Sequence, residues 1–224
     1  MAYQSFDDQK GDSDSSAKLV KLRFPTEFAG KSFLDIGCNE GFFCLEAINR
    51  GATSAVGVDI DPDVLKRATK RAEGKAITYL NASWWNLPEE QFDVIQMSSA
   101  LHYEPRPKLL MDQIVRRLKP GGVFILEAGL YAKSEQRMFV EVQRHDGSLM
   151  FPTRRLLVED ILSQFSVRYI GPSVIQKGDP LERHVFHCFV KRPVALIFSG
   201  VSGAGKTYVS QLLATRANLP RFDF

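Results

Sequence analysis

The chain has 224 residues, 44% hydrophobic and 25% charged, which is room for one generous domain with a sizeable core, or one domain plus a smaller piece. Its net charge of +3 is too small to argue for nucleic acid by itself, and no uninterrupted apolar run approaches the ~20 residues of a membrane span. Cys38, Cys44 and Cys188 form no CxxC pair, which argues against a disulfide framework and against zinc, so they read as reduced residues of a cytoplasmic protein and no metal is expected.

Residues 1–17 are rich in Asp, Ser, Gln and Gly and read as a disordered lead, too polar for a signal peptide. Residues 18–30 mix basic and aromatic side chains, among them Lys18, Lys21, Arg23, Phe24 and Phe28, and form either a short helix capping a pocket or a docking segment. A regular alternation then starts. Strands are predicted over 32–37, 55–59, 76–80, 92–97 and 123–127, and helices over 41–50, 61–73 and 107–118. Asp61-Pro62 supplies a helix cap and first position, while Lys-Pro-Gly-Gly at 119–122 stops the last of these helices. Residues 129–152 lack clear periodicity and read as an insertion above the sheet. A helix over 153–165, capped by Thr153, precedes two strands over 167–170 and 184–190. No helix pattern joins that pair, so they should be antiparallel. The prediction is an α/β fold: a doubly wound, mostly parallel sheet with an antiparallel strand at its end, occupying residues 31–193.

The chemistry gathers at Asp-Ile-Gly-Cys-Asn-Glu-Gly, residues 35–41, where a strand enters a glycine turn and a helix leaves it. Backbone N–H groups and a helix N-terminus then face a ligand, or the stretch is an ordinary turn of a parallel sheet. Gly37 allows the turn, Gly41 lets the helix pack close, and Asn39 tolerates positive φ. Asp59 ends the second strand about twenty residues later, where a carboxylate can take both hydroxyls of a ribose, or merely serve the helix start. Gly37-Cys-Asn-Glu-Gly41 is not the GxGxxG of a pyrophosphate site. Asp35 suits a cationic ligand better than an anionic one, as S-adenosylmethionine would be.

Residues 31–191 resemble the class I S-adenosylmethionine-dependent methyltransferases. The resemblance lies in Leu34-Asp-Ile-Gly-Cys-Asn-Glu-Gly41, Val56-Gly-Val-Asp59, Phe92-Asp-Val-Ile95 and Leu118-Lys-Pro-Gly-Gly122. It implies seven strands with the last antiparallel, and S-adenosyl-L-methionine as cofactor. It also implies that Asp35, Gly37, Cys38, Asn39 and Gly41 line the methionine end and that Asp59, with Ile60 beside it, holds the ribose. Asn81 and Ala82 would flank the adenine, with Met97 and Ser98 under the reacting sulfur. Asn39 replaces the usual middle glycine and Asn81 the usual acid. A finer likeness, through Gly37-Cys-Asn-Glu-Gly-Phe-Phe43 and Ala100-Leu-His-Tyr103, points to enzymes of tRNA wobble uridine and of glycan ends.

His102 is the candidate base for a hydroxyl acceptor, or a rim histidine that only packs, and Glu127 is a weaker candidate. Tyr103, Arg137, Arg144, His145, Arg154 and Arg155 are candidate acceptor contacts, or a solvated basic face. Trp84 and Trp85 either cover a ring or pack. The acceptor is expected to be a hydroxyl or phosphate oxygen of a small molecule or glycan. A wobble-uridine tRNA enzyme and a bare cofactor-binding module are the alternatives. Residues 200–207 satisfy GxxxxGK[ST], with Gly200, Gly205, Lys206 and Thr207 able to hold nucleotide phosphates, and 194–224 resembles the opening of a P-loop kinase. ATP and Mg²⁺ are expected only if that domain is complete, which makes a bifunctional methyltransferase–kinase the sequence expectation.

Overall fold

The computed structural model describes residues 3–6, 9–144, 147–175, 181–191, 199 and 201–217. The chain divides into two compact units, residues 1–191 and 192–224. In the first, a helix α1 (Ser15–Lys21) precedes β1 (Ser32–Ile36), α2 (Phe42–Asn49), β2 (Ser54–Asp59), α3 (Pro62–Arg71), β3 (Ile77–Asn81), β4 (Phe92–Ser98), α4 (Pro107–Arg117) and β5 (Leu118–Gly129). A hairpin β6 (Phe139–Arg144) and β7 (Gly147–Pro152) follows, then β8 (Phe165–Pro172) and β9 (Arg183–Val190).

Seven strands form one sheet in the order β3-β2-β1-β4-β5-β9-β8. Neighbours from β3 to β5 pair parallel, and β9 pairs antiparallel with both β5 and β8. The order reverses between β1 and β4, which opens the crevice where such sheets take ligands. The antiparallel strand is the last in the chain but not the last in the sheet. It lies inside, with β8 taking the edge, because β9 carries the more apolar sequence: Val185, Phe186 and Cys188 are fully buried.

Local chemistry explains the elements around the crevice. β1 is buried along nearly its whole length, as a central parallel strand must be. α3 starts on Asp61, whose side chain accepts from the Asp63 and Val64 N–H groups, with Pro62 in the first turn. The sheet is covered on both faces. Leu34, Ile36, Ile95, Met97 and Phe124 pack with α4 on one, and Phe33, Phe24, Phe28, Phe43 and Val94 pack with α2 on the other.

Four expectations change. Residues 3–6 and 9–17 are not a disordered lead: Gln4, Ser13 and Ser15 are buried, and Asp14 caps α1 by accepting from Ala17 N at 2.8 Å. Residues 139–152 form a hairpin rather than an irregular insertion. β5 starts at Leu118, which pairs with Phe92, and Lys-Pro-Gly-Gly bulges out before pairing resumes at Val94 and Val123. Last, the expected helix over 153–165 is mostly a π-helical turn at Leu156–Ile161, although Thr153 Oγ1 does accept from Leu156 N at 3.3 Å.

In the second unit, α5 (Lys206–Ala217) follows a loop in which Gly203 and Gly205 have φ of +82° and +75°. Lys206 Nζ donates to the Val201 carbonyl at 2.7 Å. Residues 194–198 of the expected strand, and Gly200, lie outside the described residues, as does His145.

Candidate functional site

The turn after β1 is held by its neighbours. Asn39, at φ +50°, donates its N–H to Asp59 Oδ2 at 2.8 Å, and Asp59 Oδ1 accepts from Asp61 N at 3.0 Å. One carboxylate thus fixes both the turn and the start of α3, and its remaining lone pairs stay available to hydroxyl donors. Gly41 has φ +81°, and a Cβ there would collide with the Tyr79 hydroxyl. At Gly37, φ is +76° and a Cβ would meet only Ala100 Cβ at 3.6 Å, so that side of the turn is open to a ligand.

Asp35 is 2% exposed, yet its Oδ2 has no hydrogen-bond partner among the described residues. Burial, reinforced by the nearby Asp59 carboxylate, raises its carboxyl to about 7, against the opposing pull of Lys18 and of the adjacent Gln96 amide, which is itself not in hydrogen-bond geometry with Oδ2. Ser98 Oγ is likewise buried and unpartnered. Asp35 and Ser98 line one cavity of about 20 Å³ with Tyr3, Gln4, Lys18, Gly37, Asn39 and Phe43. Orphaned polar atoms at a glycine turn are what a bound ammonium group would satisfy, so these residues fit the methionine end of S-adenosylmethionine. A concavity of about 980 Å³ lies elsewhere, lined among others by Phe6, Phe42, Arg67 and Arg71. It contains neither Asp35 nor Asp59, so its size alone does not make it the site.

The residues expected to flank adenosine sit at the ends of β2 and β3. Asn81 Nδ2 donates to the Asp59 and Ile60 carbonyls at 3.2 and 2.9 Å, and Ala82 N donates to the Asp59 carbonyl at 3.1 Å. That leaves Asn81 Oδ1 as an acceptor. Ile60 is 70% exposed beside Asp59, an apolar surface for a ring to cover. Two residues stand apart from their expected positions. Met97 is fully buried in the core, so only Ser98 reaches the cavity. The Cys38 side chain is also in the core, and burial first, then Asp35 and Asp59, push its thiol far up, which excludes a thiolate nucleophile.

The candidate base is engaged. His102 is buried, stacks on Phe151 at 5.0 Å, and its Nε2 lies 3.2 Å from Arg144 Nη1, so that nitrogen faces a guanidinium as an acceptor. Tyr103 is 48% exposed, its ring 4.3 Å from that of His102. The other basic residues do not converge. Arg137 pairs with Glu159 and Asp160, Arg155 pairs with Glu159, and Arg154 stacks on Tyr169. Trp84 donates to Glu104 at 2.7 Å and Trp85 lies under Arg106, so both are fixed at the rim.

Beside the turn lie Lys18 and Glu127, together with Gln4, Glu40, Ser99, Ser173 and Arg183, which the sequence does not single out. Lys18 and Glu127, 3% and 0% exposed, form an ion pair at 2.9 Å. Ser99, at φ +59°, accepts from Lys18 Nζ at 2.9 Å and Arg183 Nη1 at 2.5 Å, and donates to Glu127 Oε2. Ser173 donates to Glu127 Oε1. Burial raises the Glu127 carboxyl, but Lys18 and the two hydroxyls outweigh it and hold it below the usual range. Gln4 grips the turn itself, donating to the Cys38 carbonyl at 3.3 Å and accepting from Phe42 N at 3.1 Å. Glu40, fully buried, is paired with Arg67 at 2.5 Å.

This geometry has known counterparts. Residues 34–126 match the family described as methyltransferase domain. The ribosomal protein L11 methyltransferase of Neisseria gonorrhoeae is 34% identical over 107 residues, 48% of this chain and 35% of the relative. The tRNA U34 carboxymethyltransferase of Hahella chejuensis is 27% identical over 121 residues, 52% of this chain and 37% of the relative. The chain thus spans little more than a third of the length of these relatives. Among solved structures, an S-adenosylmethionine dependent methyltransferase from Mesorhizobium loti superposes with a TM-score of 0.63 at 22% identity, over 77% of this chain and 98% of that one. A glycopeptide N-methyltransferase complexed with S-adenosyl-L-methionine gives 0.59 at 15%, over 80% and 95%. The family match ends at residue 126, and none of these comparisons supports the kinase-like domain expected after it. Strand order and solved structures agree on the fold, and residues 34–126, which hold the glycine turn and Asp59, are similar to the methyltransferase domain family.

Proposed function

We propose that the chain is an S-adenosylmethionine-dependent methyltransferase acting on an oxygen of a small molecule. The observation that carries the cofactor reading is the buried, unpartnered Asp35 Oδ2 beside the open face of Gly37. When bound, the cofactor would supply a methyl group on a sulfonium. The chain's own part is alignment and exclusion of water: Asp35 pairs the ammonium, Asp59 accepts from the ribose hydroxyls, and Asn81 accepts from the adenine amino group. A neutral hydroxyl would also need a base, and His102 could serve only by giving up its contact with Arg144. An acceptor that arrives ionised needs none.

The test is calorimetry of S-adenosylhomocysteine, which keeps the ammonium, across pH. Asp35 must be ionised to pair it, and its carboxyl sits near 7 in the free protein. Affinity is therefore expected to be flat just above pH 7 and to fall below it, approaching about tenfold per pH unit as Asp35 protonates. Asp35→Asn should bind more weakly and lose this pH dependence. The sign for stability is opposite. A carboxyl raised above its unfolded value of 3.8 favours the free fold at low pH, and that contribution is lost as pH rises through 7. A wild-type affinity that is level from pH 5 to 8 would remove the Asp35 assignment.

RNA as acceptor is the second reading, favoured by the concavity lined by Arg50, Arg67, Lys70, Arg71 and Lys75. Against it, Arg67 is paired with Glu40, and Arg71 with Gln9 and the Phe6 ring. A screen with labelled methyl donor over small oxygen acceptors, glycans and total tRNA separates the two readings. Failure of every acceptor despite tight S-adenosylhomocysteine binding would favour a cofactor-binding module. For residues 200–207 the nucleotide reading rests on the motif and its glycine-shaped loop. Phosphoryl transfer also needs a metal-holding carboxylate and a walled site. We therefore expect no ATP hydrolysis with Mg²⁺ above that of Lys206→Ala, and robust hydrolysis lost in that variant would overturn this.

A further inference from the structure

Three helices of the first unit line the concavity of about 980 Å³ that holds neither Asp35 nor Asp59. Each gives it one face at helical spacing. α1 places Leu19 and Val20 there, α2 places Phe42, Leu45 and Asn49, and α3 places Arg67, Lys70 and Arg71. The walls differ. The side made by α1 and the start of α2 is mainly apolar, and its Val20 is 72% exposed. The side made by α3 is basic and continues through Lys75. Five cations line the groove against one carboxylate, Glu46. Three are engaged: Arg50 pairs with Glu46, Arg67 pairs with Glu40, and Arg71 lies over the Phe6 ring and donates to Gln9. Lys70 and Lys75 are exposed and have no acidic partner among the described residues. Unmet positive charge on one wall and uncovered aliphatic surface on the other suit an occupant that is acidic along one edge and apolar along the next.

Shape and surface chemistry select among such occupants. A helix about 10 Å across would fill the volume with roughly two turns, as α2 does along the groove from Phe42 to Asn49. A lipid surface is flat and does not enter a groove. Nucleic acid gains from exposed rings on which bases stack, and the rings here are taken. Phe42 is 8% exposed, and Phe6 packs edge-on against it at 5.6 Å, under Arg71. Aliphatic Leu19, Val20 and Leu45 receive leucine-like side chains instead. The chain's own N-terminal segment docks at one end in this manner: Phe6 covers Phe42, and three residues on the Gln9 side chain accepts from Arg71 at 2.6 Å. We propose that the groove is a docking site for an acidic amphipathic helix of a partner protein. Its apolar stripe lies on Leu19, Val20 and Leu45, and its carboxylates meet Lys70 and Lys75.

The test is fluorescence anisotropy of the full chain with a labelled helical peptide of about 16 residues, with leucines at i, i+3, i+4 and i+7 and glutamates beside them. It is expected to bind, and to bind about tenfold more weakly with its glutamates changed to glutamine or its leucines to serine. Lys70→Gln/Lys75→Gln should weaken it about tenfold, as loss of two exposed ion pairs allows. Val20→Asp, which sets a carboxylate in the apolar wall, should weaken it by about as much. All three positions are exposed, so both variants should fold. Arg116→Gln/Lys133→Gln removes the same charge outside the groove and should change affinity less than about twofold. The proposal is overturned by no binding of the acidic peptide, by equal affinity for its glutamine or serine form, or by equal losses in the two charge variants. A labelled oligouridylate that binds more tightly than the peptide and is lost in Lys70→Gln/Lys75→Gln would overturn it and assign the groove to nucleic acid. A dimer seen by sedimentation and lost in that variant would overturn it in favour of a second copy of the chain.

Discussion

Lys18→Met is expected to destabilise the first unit by about 3 kcal/mol at neutral pH, measured by urea unfolding, because the buried Glu127 loses the ammonium 2.9 Å from its Oε2 and keeps only the more distant Arg183, which it meets through Ser99. Both partners are under 4% exposed and 2.9 Å apart, so solvent screening discounts little of this. Domains are stable by only about 5–15 kcal/mol in total, so this one substitution removes about a fifth or more. The pH profile identifies the cause. In the wild type the Glu127 carboxyl is held below 4.5, so its contribution is present above that value and is lost as pH falls through the lower, folded value. In the variant, burial without Lys18 raises the folded value above the unfolded one, and the charge cost is relieved on acidification. The gap between wild type and variant should therefore be widest at neutral pH and narrow below about pH 4.5. Lys18→Met/Glu127→Gln should recover part of the loss at pH 7. A deficit that is the same at pH 4 and pH 7 would assign the effect to lost packing of the Lys18 stem.

The difference between what the sequence reveals and what it hides follows from range. The turn at 35–41, Asp59 and the cap at Asp61-Pro62 are legible because each is specified by residues a few positions apart: positive φ at Gly37, Asn39 and Gly41, and a side chain bonding its own helix start. The strands from β1 to β5 are legible for the same reason, as short apolar runs between turn residues. The Lys18–Ser99–Glu127–Arg183 cluster is not. Its members are 81, 28 and 84 residues apart along the pairs that bond, and only sheet closure brings them together. Polarity also misleads at the N-terminus, where Gln4, Ser13 and Ser15 are buried because they bond the chain they cover. The hairpin had a local signal: Val140 and Val142 alternate with Glu141 and Gln143, and Asp146-Gly147 is a strong turn pair. Met97 faces the core and Ser98 the cavity because side chains alternate along β4, which proximity to the strand end does not reveal.

Asp59→Ala is expected to weaken S-adenosylhomocysteine binding about a hundredfold, measured by calorimetry. Two losses combine. In the proposed site the carboxylate accepts from ribose hydroxyls, and hydrogen bonds to charged groups contribute about 1.5–3 kcal/mol each, so even the lower bound for one bond exceeds a tenfold change. The second loss is the turn. Asp59 Oδ2 holds Asn39 N–H at 2.8 Å while Asn39 sits at φ +50°, a conformation a non-glycine residue leaves readily once its restraint is gone. Released, the turn no longer presents Gly37 and Asp35 in one arrangement, and the methionine end loses its alignment as well. A comparison with adenosine alone separates the two losses. If only the ribose contact matters, Asp59→Ala weakens adenosine and S-adenosylhomocysteine by the same factor. If the turn also loosens, S-adenosylhomocysteine loses more, because only it reaches Asp35. Asp59→Asn, with one acceptor oxygen kept, should lie between wild type and alanine for both ligands. Wild-type affinity for S-adenosylhomocysteine in Asp59→Ala would sink the ribose assignment and reduce Asp59 to the helix-start residue that its contact with Asp61 N at 3.0 Å already makes it.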